Sequence, residues 1–399
     1  MARTKALLGA GPRLSDYLSA GLLARAYPRE LIEEALAASG KASLRRRDFP
    51  AETVAYYVMA LGLYSGAAYE EVFQCMTDGL AWLSQGVVPE LRIGKSGISQ
   101  ARTRLGWEVM REIGLRRLRP LAGPDTPGAW YRGRRLVSLD GSCLEVADEA
   151  GNAQAFGYPG TKHGEVGYPQ AKFVALVETG THAMLAVHLG RYGSGETTLA
   201  QALLPKLTPD MLCLADRGFI SYDFFKQARA TGAQLLWRGR KNLILPAEKV
   251  FADGSYLSAL YPDAKARAAK RDGIPVRVID YRIEGIEDAE PLYRLLTTLI
   301  DPRQAPAGEL AALYHERWEI ESIFDEFKTH LRGAKRVLRS KTPDLVRQEF
   351  YGLVLTHYAI RELIHQAALE RKLDPDRLSF TGTVQLVRRK LPQAGAISP

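Results

Sequence analysis

The sequence predicts an α/β protein in which a helical region precedes a region built around a β-sheet. Up to about residue 124, apolar residues recur mostly at helical spacing. Residues 121–128 are rich in proline and glycine, as in a linker. Beyond them the apolar residues form short runs separated by turn residues, which is typical of strands alternating with helices. We therefore expect a helical domain at 1–124 and a second domain at 129–399.

The composition is that of an ordinary soluble protein: 399 residues, 46% hydrophobic and 25% charged, enough for two or three domains. No run approaches ~18 consecutive apolar residues, and the N-terminus lacks an export signal. We expect a cytoplasmic, nucleoid-accessible protein without membrane contact. Disulfides and structural zinc are not expected, because the cysteines are far apart and no paired Cys/His spacing occurs. The cysteines are Cys75, Cys143 and Cys213.

The net charge of +9 and the pI near 9.3 favour a polyanionic partner. Between residues 99 and 135, nine arginines face only three acids, so this window holds six of the nine excess charges. Arginine suits bidentate phosphate contacts, although a solvated helical face is the alternative interpretation. The arginines are Arg102, Arg104, Arg111, Arg116, Arg117, Arg119, Arg132, Arg134 and Arg135.

Within the helical region, residues 14–39, 51–65 and 70–82 have helical spacing. Residues 94–105 then form a helix start with small polar and basic side chains. One interpretation is the recognition helix of a helix-turn-helix unit that reaches DNA. The other is an ordinary helix start capped by serine.

The first strand of the second region, residues 135–146, carries Asp140 followed by Gly141. An aspartate inside an apolar strand is costly to bury unless a cation or donors surround it. The alternative is an Asp-Gly hairpin turn that splits two short strands. Residues 170–178 and 182–189 are predicted as the next strands, joined by a tight turn at 179–181.

A helix at 196–206 and an apolar strand at 211–215 follow, and the strand ends in Asp216. Functional groups of open α/β sheets lie at the carboxyl ends of strands, and Asp216 has that position. A capping or turn aspartate is the alternative. A helix capped by Ser221 and a strand at 234–237 are predicted next. Strands are predicted again at 240–300, with a hairpin at 252–255 and a pair of strands at 275–283 and 292–300.

A long helix is predicted at 307–331, with Gly333 at its end. Tyr314, Arg317, Glu321 and Lys328 lie within a sector of about 60° on this helix. An acid flanked by donors suits a site that holds a metal and a phosphate together, and a surface salt-bridge ladder is the alternative. Five basic residues and no acid follow at 332–341, which indicates a phosphate track or a solvated loop.

The spacing Tyr314-x2-Arg317-x3-Glu321-x6-Lys328 resembles the signature of the DD-E transposases of bacterial insertion sequences, in particular the insertion-sequence-four family. Asp140 and the run that begins at Asp216, Asp-Arg-Gly-Phe, stand where that family has its two aspartates. Serine at 142 departs mildly from the threonine that is common there. The resemblance covers nearly the whole chain.

The resemblance implies a ribonuclease-H-like catalytic core with a β-rich insertion at about 240–300, preceded by a helical DNA-binding domain. It implies that Asp140, Asp216 and Glu321 are catalytic and hold two Mg²⁺ or Mn²⁺ ions. DNA contacts are then expected from a larger set of basic and aromatic residues. These are Tyr314, Arg317, Lys328, Arg102, Arg104, Arg332, Lys335 and Arg336.

The function implied is that of a transposase that binds terminal inverted repeats, cleaves DNA at the element ends and joins the 3′ ends to target DNA by two-metal-ion phosphoryl transfer. A homodimer would pair the two ends. The alternatives are a non-catalytic protein that occupies terminal repeats, as a decayed or repurposed transposase would, and a general nuclease.

Overall fold

The computed structural model describes residues 21–42, 49–83, 93–161, 164–165, 167–283, 292–315, 317, 319–333 and 337–388. The N-terminal region is helical, as predicted, and residues 21–26 already form helix. The prediction for residues 14–20 lies outside the described part of the chain. The helices here are α1 (Arg29–Ala38), α2 (Ala51–Leu63), α3 (Tyr69–Leu83), α4 (Lys95–Leu105) and α5 (Glu108–Arg117).

The second region contains a large mixed sheet and a short two-stranded one. Helices α6 (Ala150–Phe156), α7 (Glu196–Ala200), α8 (Tyr222–Ala230) and α9 (Ala264–Ala268) connect the strands, and a 3₁₀ segment, Gln201–Lys206, extends α7. The strands are β1 (Trp130–Tyr131), β2 (Arg134–Glu145), β3 (Gly160–Thr161), β4 (Gly164–Glu165), β5 (Gln170–Glu178), β6 (Ala183–Arg191), β7 (Met211–Ala215), β8 (Gln234–Arg238), β9 (Lys249–Val250), β10 (Tyr256–Leu260), β11 (Ile274–Tyr281) and β12 (Tyr293–Thr297).

The large sheet has the order β6-β5-β2-β7-β8-β12-β11-β10-β9, with β1 paired to β2. Strands β2, β7 and β8 run parallel, and the other neighbours are antiparallel. Its first five strands are therefore ordered third, second, first, fourth and fifth along the chain. This is the order of a ribonuclease-H-like core, which confirms the expected fold class.

Strand β2 is continuous through Asp140 and Gly141, so the hairpin interpretation is wrong. Asp140 pairs with Ala175 and Gly141 with Val174 on the antiparallel strand β5. The ladder continues to Glu145, because β5 supplies backbone partners along the whole length of β2. The carboxylate at position 140 thus lies on a rigid strand inside the sheet.

The β-rich segment expected at about 240–300 continues the main sheet. Strand β12 pairs antiparallel with β8, and β11, β10 and β9 follow in turn. The predicted pair at 275–283 and 292–300 is confirmed as β11 and β12, although residues 284–291 lie outside the described chain. The insertion and the core share one backbone hydrogen-bond network.

The predicted long helix is present in two described parts, α10 (Ala307–His315) and α11 (Glu319–Asp325), and a π-helical turn, Glu326–Leu331, completes it. Gly333, at φ 100°, ends it as predicted. Two more helices follow, α12 (Pro343–Arg371) and α13 (Phe380–Arg388). No helix among the described residues has the length and apolar content needed to cross a bilayer.

Helix α12 joins the N-terminal helices to the sheet. It crosses α2 at two glycines: a Cβ on Gly352 would lie 2.7 Å from Cγ1 of Val58, and one on Gly62 would lie 2.8 Å from Oγ1 of Thr356. One cluster of buried apolar side chains runs from α2 through α12 to β5. The two predicted domains therefore share a hydrophobic core.

Candidate active site at the strand ends

Asp140 and Asp216 lie beside each other because their strands are parallel neighbours. Strands β2 and β7 stay in register up to Leu139 and Ala215, and each aspartate is the next residue. Asp140 accepts a hydrogen bond from the N–H of Gly141, and Asp216 accepts one from that of Gly218, each at 2.8 Å. The two predicted carboxylates therefore share one edge of the sheet.

The polar row of α10, α11 and the π-helical turn lies over this edge. The hydroxyl of Tyr314 donates to the carbonyl oxygen of Ala215 at 3.2 Å. Nη1 of Arg317 donates to Oδ2 of Asp140 at 3.1 Å. These contacts put the row against the sheet, so the interpretation as a surface salt-bridge ladder is wrong.

Lys328 extends the same row beyond Asp140. Its Nζ donates to Oγ of Ser142, two residues after Asp140 on β2, at 3.0 Å. The hydroxyl that replaces the common threonine thus has a partner from the predicted row. The ammonium group remains partly exposed beside the strand end.

Arg317 is the buried cation among the predicted catalytic acids. Its Nη2 lies 3.9 Å from Oε1 of Glu321, whose side chain is 55% exposed, whereas that of Arg317 is only 9% exposed. Burial opposes the charge of Arg317, yet the neighbouring phenol and the acids Asp140, Asp216 and Glu321 raise its pKa above the ordinary value. In this conformation the guanidinium separates Asp140 from Glu321.

The pKa of Asp140 is raised from 3.8 to about 6. Burial is the largest cause, and the charges of Asp216 and Glu196 raise it further. The N–H of Gly141 and the charge of Arg317 act in the opposite direction. The carboxyl groups at this edge therefore repel one another when ionised.

Glu196, at the start of α7, is the residue of this site that the sequence analysis missed. Its Oε1 lies 3.0 Å from the position that a Cβ on Gly141 would take, and its Oε2 lies 3.5 Å from that of a Cβ on Gly218. In the sequence it was only the first residue of a predicted helix. A glutamate in a first turn is common for electrostatic reasons alone, so no sequence signal marks it.

The donors at this edge fit a hard divalent cation. Asp140, Asp216, Glu196 and Glu321 offer only carboxylate oxygens, which Mg²⁺ and Mn²⁺ prefer. The missing side chain at Gly141 leaves the space that the carboxylate of Glu196 occupies. In this conformation no three of these four acids have ligand atoms within 4.8 Å of one another, and Arg317 lies between Asp140 and Glu321.

A second acidic group lies behind α11. Ligand atoms of His182, Glu319 and Asp376 lie within 4.8 Å of one another, in a cleft of about 610 Å³ that Glu321 also lines. Burial raises the pKa of Asp376 to about 6. Nε2 of His182 is 3.2 Å from Oδ1 of Asp376, so the two side chains are in contact.

Beneath this group, the buried Glu326 accepts a hydrogen bond from Nε of Arg361 at 2.9 Å. The imidazoles of His182 and His357 each lie 3.3 Å from its carboxylate. Burial opposes its ionisation, but these partners hold its pKa well below the ordinary value. The network fixes the π-helical turn against α12.

The residues predicted to contact DNA are distributed unevenly. Arg102 is 2% exposed, and its guanidinium donates to Gln348 at 2.9 Å and to Ser340 at 3.0 Å, a placement that argues against a phosphate contact. Arg332 is 9% exposed, and its Nε donates to the carbonyl of Lys328. Arg104 is exposed on α4. Lys335 and Arg336 lie outside the described residues.

Several other arginines of the basic window form internal ion pairs. Arg117 pairs with Glu362 on α12 at 2.5 Å, and Arg135 pairs with the buried Glu178. Net charge along the sequence therefore overstates the basic surface of this window.

The structure is similar to that of a piggyBac transposase, solved by cryo-electron microscopy as a synaptic complex with hairpin DNA. The TM-score is 0.51 at 12% identity, over 93% of this chain and 79% of that one, a likeness that shows a shared fold. The fold and the acidic strand ends thus define a core of the ribonuclease-H-like class with a carboxylate site.

Two family models match the chain. Residues 17–113 match the N-terminal domain of insertion element 4 transposases, and residues 131–358 match the transposase DDE domain. The chain therefore belongs to the DDE transposases, in the insertion sequence 4 family. DDE domains generally use divalent metal ions.

Two relatives come from Escherichia coli strain K12. The chain is 28% identical to the transposase InsG of insertion sequence element IS4 over 373 residues, which are 93% of this chain and 82% of the relative. It is 25% identical to the putative transposase InsZ over 235 residues, which are 59% of this chain and 74% of that relative.

Proposed function

We propose that this transposase binds the terminal inverted repeats of its insertion sequence, cleaves DNA strands at the element ends and joins the freed 3′ ends to target DNA. Asp140, Asp216 and Glu321 are the catalytic carboxylates in this proposal. The observation that carries it is the position of the row Tyr314, Arg317, Glu321 and Lys328 over the ends of β2 and β7, with Arg317 bonded to Asp140.

The carboxylates would hold two Mg²⁺ or Mn²⁺ ions, which, when bound, supply activation of the attacking hydroxyl and charge stabilisation at the leaving oxygen. Asp140 presents its oxygens from within β2, and Asp216 presents them from the end of the neighbouring strand β7. Glu321 approaches from the opposite side on α11, where its exposed side chain is free to turn inward.

Arg317 and Lys328 bind the phosphate backbone in this proposal. The guanidinium of Arg317, which is bonded to Asp140, lies at the same edge and would donate to a phosphate oxygen there. Lys328 supplies a second positive charge beside β2. Tyr314, buried against Ala215, acts by holding α10 in place rather than by touching DNA.

End binding belongs to the helical region, where the exposed Arg104 is available to DNA. The solved relative is itself a synaptic complex with hairpin DNA, which supports a homodimer that pairs two element ends. Such a protein acts at the nucleoid.

Cleavage of terminal-repeat DNA with and without Mg²⁺ tests the proposal. We expect Mg²⁺-dependent nicks at the element ends, strand joining, and a loss of cleavage of at least ~10³-fold in Asp140→Asn, Asp216→Asn and Glu321→Gln, with end binding retained. A non-catalytic binding protein would shift the DNA and leave it uncut. A general nuclease would cut unrelated DNA equally well and join no strands.

A further inference from the structure

We propose that Glu196 is a fourth carboxylate of the metal site, one that holds a divalent cation together with Asp140 and Asp216. This inference rests on the proposed function, because it assigns a further residue to the same site. The observations that carry it are the position of the side chain, the glycine at 141 that makes room for it, and the two other acids at the same edge of the sheet.

The side chain of Glu196 reaches from α7 to the edge where both aspartates lie. Its carboxylate contacts β2 at Gly141, directly after Asp140, and the loop at Gly218, two residues after Asp216. A Cβ at Gly141 would lie 3.0 Å from Oε1 and 3.1 Å from Cδ of Glu196. Glu196 therefore bridges the two segments that carry the predicted catalytic aspartates.

Neither glycine is explained by backbone conformation. The glycines with positive φ include Gly157 and Gly232 but neither Gly141 nor Gly218. A residue with a side chain would adopt the same backbone at both positions, so backbone conformation does not require glycine there. The absence of a side chain instead leaves room for neighbouring atoms. The space at Gly141 is taken by the carboxylate of Glu196, whereas at Gly218 the nearest atom to the Cβ position is Oδ1 of Asp216 at 3.0 Å, with Oε2 of Glu196 at 3.5 Å.

The position is electrostatically unfavourable unless a cation is bound. The carboxylate of Glu196 lies beside Gly141 and Gly218, in the two segments that carry Asp140 and Asp216. Within the described residues no lysine or arginine pairs with Glu196, and Arg317 is shared by Asp140 and Glu321. Ionised carboxylates at one edge of a sheet repel one another, and a divalent cation bound among them would remove that repulsion.

The helix dipole does not account for this placement. An acid in the first turn of a helix is stabilised by the dipole without having to point at other acids. Asp223 also lies in the first turn of its helix, α8, and is exposed to solvent. Glu196 instead points toward two other acids.

A fourth acid also balances the charge of the site. With Glu321 turned inward, four carboxylates oppose the charge of two divalent cations, whereas three would leave an excess positive charge beside Arg317. Asp140, Asp216 and Glu196 would form one fixed face of the site. Glu321 would supply the opposite face from α11.

The test measures metal binding by the full-length protein without DNA, so it does not depend on activity. Mn²⁺ binding by calorimetry and the Mn²⁺-induced rise in Tm are compared among wild type, Glu196→Gln, Asp140→Asn and the control Asp223→Asn. We expect Glu196→Gln to weaken Mn²⁺ binding at least ~10-fold and to reduce the rise in Tm. Asp223→Asn should match the wild type in both.

A second readout separates metal binding from a structural role. In EDTA, Glu196→Gln should melt no lower than the wild type, because the substitution removes a repelling charge and keeps the shape of the side chain. A lower Tm in EDTA together with unchanged Mn²⁺ affinity would overturn the assignment.

The controls distinguish the two levels of the proposal. If Asp140→Asn loses Mn²⁺ binding and Glu196→Gln keeps wild-type affinity, Glu196 is not a ligand and the proposed function stands. If the wild type binds no Mn²⁺, or cuts no terminal-repeat DNA, the proposed site fails as a whole and Glu196 with it.

Discussion

The guanidinium of Arg317 lies among the proposed catalytic acids, bonded to Asp140 and 3.9 Å from Glu321. Its charge opposes the rise in the pKa of Asp140. Removing it deprives Asp140 of this ion pair and also removes a proposed phosphate contact.

Replacing Arg317 with alanine should therefore reduce DNA cleavage at least ~100-fold. The variant would lose a positive charge that stabilises the transition state and a contact that positions the DNA strand. Arg317→Lys should recover only part of this activity, since an ammonium lacks the paired N–H donors that a guanidinium can offer to a phosphate. Single-turnover cleavage of terminal-repeat DNA measures both. Cleavage by Arg317→Ala at the wild-type rate would exclude this residue from the site.

The raised pKa of Asp140 predicts how stability depends on pH in the absence of metal. The folded state binds the proton of this carboxyl more tightly than the unfolded state, so stability falls as pH rises from about 4 to about 6. A shift of this size corresponds to roughly 3 kcal/mol. Thermal melts in EDTA should show a smaller decline over this range for Asp140→Asn than for the wild type, and equal declines would mean that Asp140 is not the source of the pH dependence.

At the residue scale, sequence patterns identify a side chain when its chemistry is unusual for its surroundings. Asp140 stands out because an acid is costly to bury in an apolar strand, Asp216 because it follows the carboxyl end of one, and the resemblance to the transposase signature assigns both to the site. Glu196 does not stand out because glutamates begin many helices. Arg102 is predicted from a basic helix start and the resemblance, and neither reveals that Gln348 and Ser340 enclose the guanidinium.

Among the secondary structure elements, the π-helical turn Glu326–Leu331 decides where Lys328 lies. The turn is fixed by Glu326, which is buried with Arg361, His182 and His357. A buried acid with this many partners stabilises the helix only while all of them are present. The turn therefore links the stability of the core to the position of the polar row.

Replacing Glu326 with glutamine should cost about 3–5 kcal/mol of unfolding free energy, because Arg361 would remain buried without its counter-charge. Urea denaturation measures the loss. Glu309→Gln is the control, since Glu309 pairs with Arg132 at the surface and its loss should leave stability close to the wild type. Equal effects of the two substitutions would contradict the importance of the buried pair.

The presence of a strand could be predicted where the hydrophobic pattern of the sequence was clear, as in β5, β7 and the pair of β11 with β12. The continuity of β2 through Asp-Gly could not be predicted, because it depends on the ladder that a distant strand supplies. For the same reason the sequence showed a β-rich insertion but not its junction with the core, which is the pairing of β12 with β8.

On the scale of the whole molecule, the N-terminal helices and the sheet are parts of one folded unit. Helix α12 packs against α2 on one side and against β6 on the other. Composition marked a boundary near residue 124, but it could not show that a helix more than 200 positions away covers the N-terminal core. Long-range burial of this kind leaves no local pattern.

The crossing of α2 and α12 predicts a contrast between two glycines. A Cβ on Gly352 would lie 2.8 Å from the carbonyl oxygen of Val58, so Gly352→Ala should destabilise the protein by about 1–3 kcal/mol. A Cβ on Gly308, in α10, would meet nothing within 4 Å, and Gly308→Ala should be neutral or slightly stabilising. Chemical denaturation of both variants checks this, and an unaffected Gly352→Ala would mean that the helices cross less closely.

In the proposed function, the helices that recognise the element ends and the strands that carry the proposed catalytic acids pack around the same long helix, so end recognition would not be a detachable module. A chimera that takes only residues 1–124 from a relative would bring in an α2 surface that the resident α12 does not fit. Relatives could therefore exchange end specificity only when the facing surfaces of α2 and α12 change together. The DNA preference would then diverge in step with a buried helix contact that touches no DNA.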